Sequence, residues 1–283
     1  MELLKDMCQR MQNELKGAKE TDLKTQQETI ATGYPNLDEV LGGGLPVGKL
    51  IVLSHHRKER IYQAYFFKQI ICLILNRFHK ENSGNKKQNN LAYFSYLHPE
   101  FFALELLKIK GKDNWFTGLT EATNQSQINY PIYLHQLDKT ENLPDIMEQT
   151  VHKLGCSIVC LDMADIWVTH NGKSILDTLI QLQELAKQLN VCIFVSLYKE
   201  ERDLNHEQDI ADIVLSLDDF CALHSDLDDY PVFSVTVYNN IRHKWYDQRL
   251  WAENCYFQIN DKYILPCPQQ YYDKLLEKYI DDE

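Results

Sequence analysis

Two kinds of apolar pattern alternate along the chain. Residues 50–53, 91–95, 158–162 and 191–196 form short apolar runs without the polar alternation of a half-exposed strand. Runs of this kind suit strands that a parallel sheet buries on both faces. Between them, apolar residues recur at helical spacing over residues 61–78, 99–109, 143–154 and 173–189, and Pro99 is placed for a first helical turn. Residues 132–134, 213–217 and 232–238 add further strand signals. The alternation predicts an α/β fold, a mostly parallel sheet flanked by helices. From residue 232 to 259 the helical spacing stops and strand follows strand, which predicts antiparallel strands toward the C-terminus.

The flanks read differently. Leu4, Met7, Cys8, Met11 and Leu15 make a narrow apolar stripe over residues 2–18. This is a helix that docks, either on its own domain or on a neighbouring subunit. Residues 19–29 are a polar linker, and residues 269–280 read as a terminal helix before an acidic end. The expected division is therefore residues 1–29 for N-terminal helix and linker, 30–265 for the main domain, and 266–283 for C-terminal helix and tail. The most apolar stretch, residues 70–75, is bounded by Lys68, Gln69, Asn76 and Arg77. It is too short and too polar at its ends to cross a bilayer, so a buried helix and no membrane association are expected.

Composition narrows the function. A chain of 283 residues holds one large α/β domain or two small ones. Its 8 cysteines lack paired short spacings, which suits a reduced, cytoplasmic setting. A net charge of −12 excludes a protein that grips nucleic acid with its whole surface and leaves only local basic patches for phosphates.

The chemistry gathers around residues 32–62. Asn36 is placed to cap a short helix that glycines 42–44 end. The strand at residues 50–53 and the helix from residue 61 are joined by Ser54-His55-His56-Arg57-Lys58-Glu59-Arg60. A turn in this position cradles phosphate when glycines turn backbone N–H groups inward and a lysine reaches the terminal phosphates. This turn has no glycine and no Gly-Lys-Ser/Thr. Its His55, His56, Arg57, Lys58 and Arg60 form instead a basic cluster, an anion site made of side chains or a solvated loop. Asp162 ends a buried strand, where such sheets bind ligands, and is either a metal-side carboxylate or a turn cap. Cys156 and Cys160 are spaced to share one strand face as packing groups. Around residues 239–245, Arg242, Lys244 and Trp245 lie in an expected hairpin turn, suited to phosphates and a stacked base or to an ordinary tip.

Together these segments resemble the C-terminal motor domain of DnaB-type replicative helicases, within the RecA-like ATPases that include the RadA and KaiC group. Thr32-Gly33-Tyr34, Leu37-Asp38 and the glycines between 42 and 48 are similar to that family's TG-x-x-x-LD-x-x-x-GG-x-x-x-G pattern. Residues 91–107, 158–166, 181–196 and 209–217 resemble later segments in the same order, so the likeness spans about residues 32–259. It implies a RecA-like fold, Mg-ATP as cofactor with Asp162 as the metal-side carboxylate, and a ring-forming homo-oligomer joined through the N-terminal helix. DNA or replication proteins are the implied partners. The family's catalytic residues carry over poorly. Its phosphate-loop lysine and hydroxyl fall near Ile61 and Tyr62, and its catalytic glutamate near Leu97, with Glu100 displaced. Its later glutamine falls at Leu197 and the lysine of its C-terminal finger at Asn240, while Arg242 matches the finger arginine.

The leading expectation is a DnaB-like RecA-fold protein defective in ATP hydrolysis, acting as a binding, assembly or regulatory module in DNA replication or recombination. One alternative is an ATP-dependent helicase in which Lys58 or Arg60 replaces the lysine. A second is an anion or single-stranded nucleic-acid binder using the two basic loops.

Overall fold

The computed structural model describes residues 28–55, 60–82, 89–96, 102, 131–198, 210–221, 232–239, 253–260, 263–268 and 270. In chain order the elements are β1 (Thr29–Ile30), α1 (Pro35–Leu41), β2 (Leu45–Pro46), β3 (Leu50–His55), α2 (Arg60–Asn82) and β4 (Asn90–Ser95). There follow β5 (Ile132–Gln136), α3 (Leu143–Leu154), β6 (Cys156–Asp162), α4 (Ala164–His170), α5 (Ile175–Leu189) and β7 (Cys192–Tyr198). The last are β8 (Ile213–Cys221), β9 (Val232–Asn239), β10 (Glu253–Asn260) and β11 (Tyr263–Pro266).

Nine of these strands form one sheet in the order β11-β10-β9-β8-β3-β7-β6-β4-β5. From β8 to β5 neighbouring strands run parallel. Strands β9, β10 and β11 add on antiparallel, as the switch from helical to strand spacing predicts. Strand β3 lies inside the sheet between β7 and β8, and its residues alternate between two cores. Ile51 and Leu53 join α2 residues such as Phe67 and Ile70 on one face. Leu50 and Val52 join Met147 of α3, Trp167 of α4 and Leu182 of α5 on the other. Burial on both faces removes any need for a polar alternate, hence the unbroken apolar runs.

Several boundaries move. β3 runs to His55, so Ser54 and His55 belong to the strand rather than to a turn, and α2 already begins at Arg60. The apolar stretch at residues 70–75 is inside α2 as expected, and no helix among the described residues is long and apolar enough to cross a membrane. Helix α4, strand β11 and the small β1–β2 ribbon have no counterpart in the sequence reading. Helix α5 starts at Ile175 because Ser174 caps it, its hydroxyl accepting the Asp177 N–H at 3.3 Å.

Two local expectations fail. Asn36 does not cap α1: Tyr34 holds that position, Pro35 is at the first turn, and the Asn36 amide donates to the Tyr256 carbonyl at 3.2 Å. Cys156 and Cys160 pack into opposite cores, because a register shift beside Asn90 and Leu91 puts Asn90 opposite Cys156 but Leu91 opposite Ile158. An inserted residue reverses the face of everything before it. The described cysteines Cys72, Cys156, Cys160, Cys192, Cys255 and Cys267 are buried thiols outside any disulfide. The expected helices at residues 2–18, 99–109 and 269–280 and the tip at 240–245 lie outside the described residues, apart from Phe102 and Gln270.

Candidate functional site at the carboxyl edge of the sheet

The lead-in to β3 is built around Asp38. One carboxylate oxygen accepts the Thr32 N–H at 2.7 Å and the Thr32 hydroxyl at 2.8 Å, and the other accepts the Gly33 N–H at 3.3 Å. Thr32 is fully buried, so its N–H has no recourse to water. Gly42 ends α1 at φ 76°, a left-handed conformation that suits glycine. Gly44 has φ 125°, and a Cβ there would stand 2.4 Å from the Ile30 carbonyl oxygen. The retained Thr-Gly, Leu-Asp and Gly-Gly positions therefore shape a turn and a close approach of two backbones. None of these described contacts is with the carboxyl ends of the parallel strands.

The carboxyl edge is organised by Asp162. It closes β6 opposite Ser95 of β4, and Leu161 before it pairs with Val195 of β7, which brings Ser196 alongside. The Ser196 hydroxyl donates to Asp162 Oδ1 at 2.8 Å and accepts the Met163 N–H at 2.7 Å. Tyr93 lies opposite Cys160, two residues below the edge. Two residues of strand rise roughly 6.6 Å, about the reach of a tyrosine side chain, and the Tyr93 hydroxyl donates to Asp162 Oδ2 at 2.5 Å. The Tyr93 ring is held by Phe102, stacked at 4.2 Å between centroids and 10° between planes. Hydroxyls from β4 and β7 thus take both oxygens of a carboxylate that is only 2% exposed. Directly after it, Met163 adopts φ 53°, an uncommon conformation for a residue with a side chain, and α4 begins.

Burial dominates the thiols beneath this edge. Cys160 is pushed well up from its ordinary value by burial first, then by Cys192, the Asp162 carboxylate and Cys156. Cys156 is pushed up to about 11 by burial. Both remain neutral thiols at physiological pH and are poor ligands or nucleophiles there.

The other sequence candidates are placed as follows. His55 ends β3 and Arg60 opens α2, so both reach the carboxyl edge through their backbones. His56, Arg57 and Lys58, like Arg242, Lys244 and Trp245, lie outside the described residues. Leu197, where the resemblance would put a glutamine, is buried in the core formed with α3, α4 and α5. Ser54, at the level of Leu197 and Ser216 on the flanking strands, is fully buried with its Oγ unpartnered. A groove of about 380 Å³ between α3 and α5, lined by Glu148, Gln181, Glu184 and Gln188, takes no residue from the strand ends.

Tyr93 and Ser196 are the members of this network that residue patterns do not single out. A tyrosine one pleat below a strand-end aspartate on the neighbouring strand is a signal only once strand order is known. The network also bears on the Mg-ATP that the resemblance implies. Mg²⁺ asks for near-octahedral oxygen ligands and usually keeps several waters. Asp162 has both oxygens hydrogen-bonded to protein hydroxyls and is sealed from solvent. Among the described residues no group of three or more His, Cys, Asp or Glu is arranged to hold a metal. The residues around Asp162 do not fit a bound Mg²⁺.

No protein-family model matches the chain, and no curated protein matches it. Solved structures do: 475 chains match, so the architecture is widely shared and does not by itself name an activity. One of them is the ATPase domain of a DnaB-like helicase, which aligns with a TM-score of 0.61 over 91% of this chain and 99% of that one, at 11% identity. Identity that low speaks to architecture alone, and with the strand order above it shows that the chain has a RecA-like α/β fold.

Proposed function

We propose that this chain is a DnaB-helicase-like protein that does not hydrolyse ATP and serves as a binding, assembly or regulatory module in DNA replication or recombination. The reading rests on one observation above others. A complete RecA-like sheet leads β3 into α2 through a segment, residues 54–60, with no glycine and no Gly-Lys-Ser/Thr. The backbone cradle for phosphates and the lysine that neutralises them are both absent from that sequence. Removing a single such stabiliser typically costs about 3 kcal/mol in a transition state, and here several are replaced together.

The occupied carboxylate at Asp162 and the buried Leu197 support the same reading, because both positions have been taken over by the interior of the protein. The helicase ATPase domain that shares this architecture lends the comparison its functional direction. The test is ATP turnover by the purified full chain with Mg²⁺, alone and with single-stranded DNA. Background turnover is expected. Turnover that Asp162→Asn and Arg60→Ala each remove would overturn the reading and establish an ATPase with an atypical loop.

A further inference from the structure

A carboxylate at the end of a buried strand has a few ways of satisfying its oxygens: water, a cation, or donors from the chain itself. In this protein the third is realised. Tyr93 Oη donates to one oxygen at 2.5 Å and Ser196 Oγ to the other at 2.8 Å. Each carboxylate oxygen has a second lone-pair direction, but Asp162 is 2% exposed, so those directions face protein. An ion bound to Oδ2 would have to stand about 2.1 Å from it, on the side the Tyr93 hydroxyl already holds.

The hydroxyl is well placed to keep that position. Tyr93 is 1% exposed, its backbone is fixed in β4 between β5 and β6, and Phe102 covers its ring. Ser196 is fixed from the other side by the Met163 N–H it accepts. These bonds join β4, β6, β7 and the turn into α4, so displacing either hydroxyl means opening the sheet edge.

We propose that Tyr93 is the residue that makes this edge metal-independent: its hydroxyl holds the place at Asp162 that a divalent cation would need, and ligands at this edge bind without one. The inference extends the non-hydrolysing reading to its metal, yet it is separable, because a protein without turnover can still bind a cation. Tyr93 acts here as a positioning residue. Its phenol stands in for the cation toward the carboxylate and ties that carboxylate inward.

The test uses Mn²⁺ alone as probe, without nucleotide, on the full-length chain, reading bound ion by electron paramagnetic resonance. The unaltered protein is expected to show no Mn²⁺ binding that Asp162→Asn removes. Tyr93→Phe keeps the ring and its stack on Phe102 but removes the donor. It is expected to gain a site at least about tenfold tighter than any in the unaltered protein, the scale on which partners of a metal ligand act. The gain should vanish in the double variant Tyr93→Phe/Asp162→Asn. A merely structural tyrosine would alter stability and leave Mn²⁺ binding flat, so a folded Tyr93→Phe without gain overturns the proposal. Asp162-dependent Mn²⁺ binding by the unaltered protein overturns it too, while leaving the turnover reading standing. Should Tyr93→Phe not fold, thermal melts of the unaltered chain in Mg²⁺ and in EDTA still decide. Coincident melts support the proposal, and Mg²⁺ stabilisation lost in Asp162→Asn refutes it.

Discussion

The lead-in segment and the carboxyl edge each turn on one aspartate, and they have fared differently. Asp38 accepts two N–H groups and a hydroxyl from Thr32 and Gly33, all contributed by residues that the family resemblance also contains. Asp162 stands where that resemblance expects a carboxylate too, yet its partners are Tyr93 and Ser196, which the resemblance does not supply. The first region shapes backbone, and a fold keeps needing that shape whatever the protein does. The second answers to chemistry. Once phosphate and metal no longer have to be held, a buried carboxylate must still be satisfied, and the interior supplies hydroxyls instead.

The strongest way to break this contrast is at Gly44. An alanine there would put its Cβ 2.4 Å from the Ile30 carbonyl oxygen, in a backbone conformation of φ 125°. The carbonyl is main chain and cannot yield cheaply. Gly44→Ala is expected to destabilise the protein by roughly 3 kcal/mol or more, read as a shift in urea midpoint. Gly155→Ala is the control. It has φ 63° but nothing within 4 Å of the added atom, so it should cost only about 1 kcal/mol, the left-handed penalty alone. Equal costs at the two sites would remove the close approach as the reason for the glycine.

A smaller effect is expected at the edge. Asp162→Ala strands two buried hydroxyls and should cost about 2 kcal/mol. Asp162→Asn keeps an acceptor for one hydroxyl and offers the other an amide donor, so roughly 1 kcal/mol is expected. Neither substitution should change the stability conferred by Mg²⁺, because in both regions the aspartate satisfies the protein's own donors. An Asp162→Asn protein more stable than the original would mean that the native carboxylate is poised for an absent ligand, and the likeness between Asp38 and Asp162 would end there.

What is legible in the sequence follows the same divide. The unbroken apolar run of β3 and the wide helical pattern of α2 announce a two-sided parallel sheet, because burial on both faces leaves a local trace in the residues. Helix α4 leaves none. It has seven residues, starts from a left-handed Met163, and its apolar Ala164, Trp167 and Val168 are too few for a period to show. The face of Cys156 escapes a sequence reading for a like reason, since a register shift is a property of the strand pair and not of the strand. Asp162 can be named as a strand-end carboxylate, but what satisfies it depends on β4 and β7 being its neighbours. Leu197 reads as a lost glutamine by resemblance, and only its burial shows that the core has claimed the position.

The smallest effect expected compares one thiol from each region. Cys255 lies under the lead-in helix, its Sγ–H donating to the Asn36 carbonyl oxygen at 3.6 Å. Burial, then Glu253 and Glu39, push it from 9.0 up to about 12. Cys160 lies beneath Asp162 and is raised by burial above all. A raised thiol pKa means that the folded state holds its proton longer than the unfolded chain does. The corresponding stability is complete below the unfolded value of about 9 and drains away as pH rises toward the folded one. The urea midpoint should therefore fall between about pH 8 and pH 10.5, and the fall should be shallower in Cys255→Ala and in Cys160→Ala. Because Cys160 also faces the Asp162 charge, Asp162→Asn should lessen the Cys160 part of the fall and leave the Cys255 part unchanged. If Asp162→Asn altered both parts equally, the two regions would be coupled through the sheet.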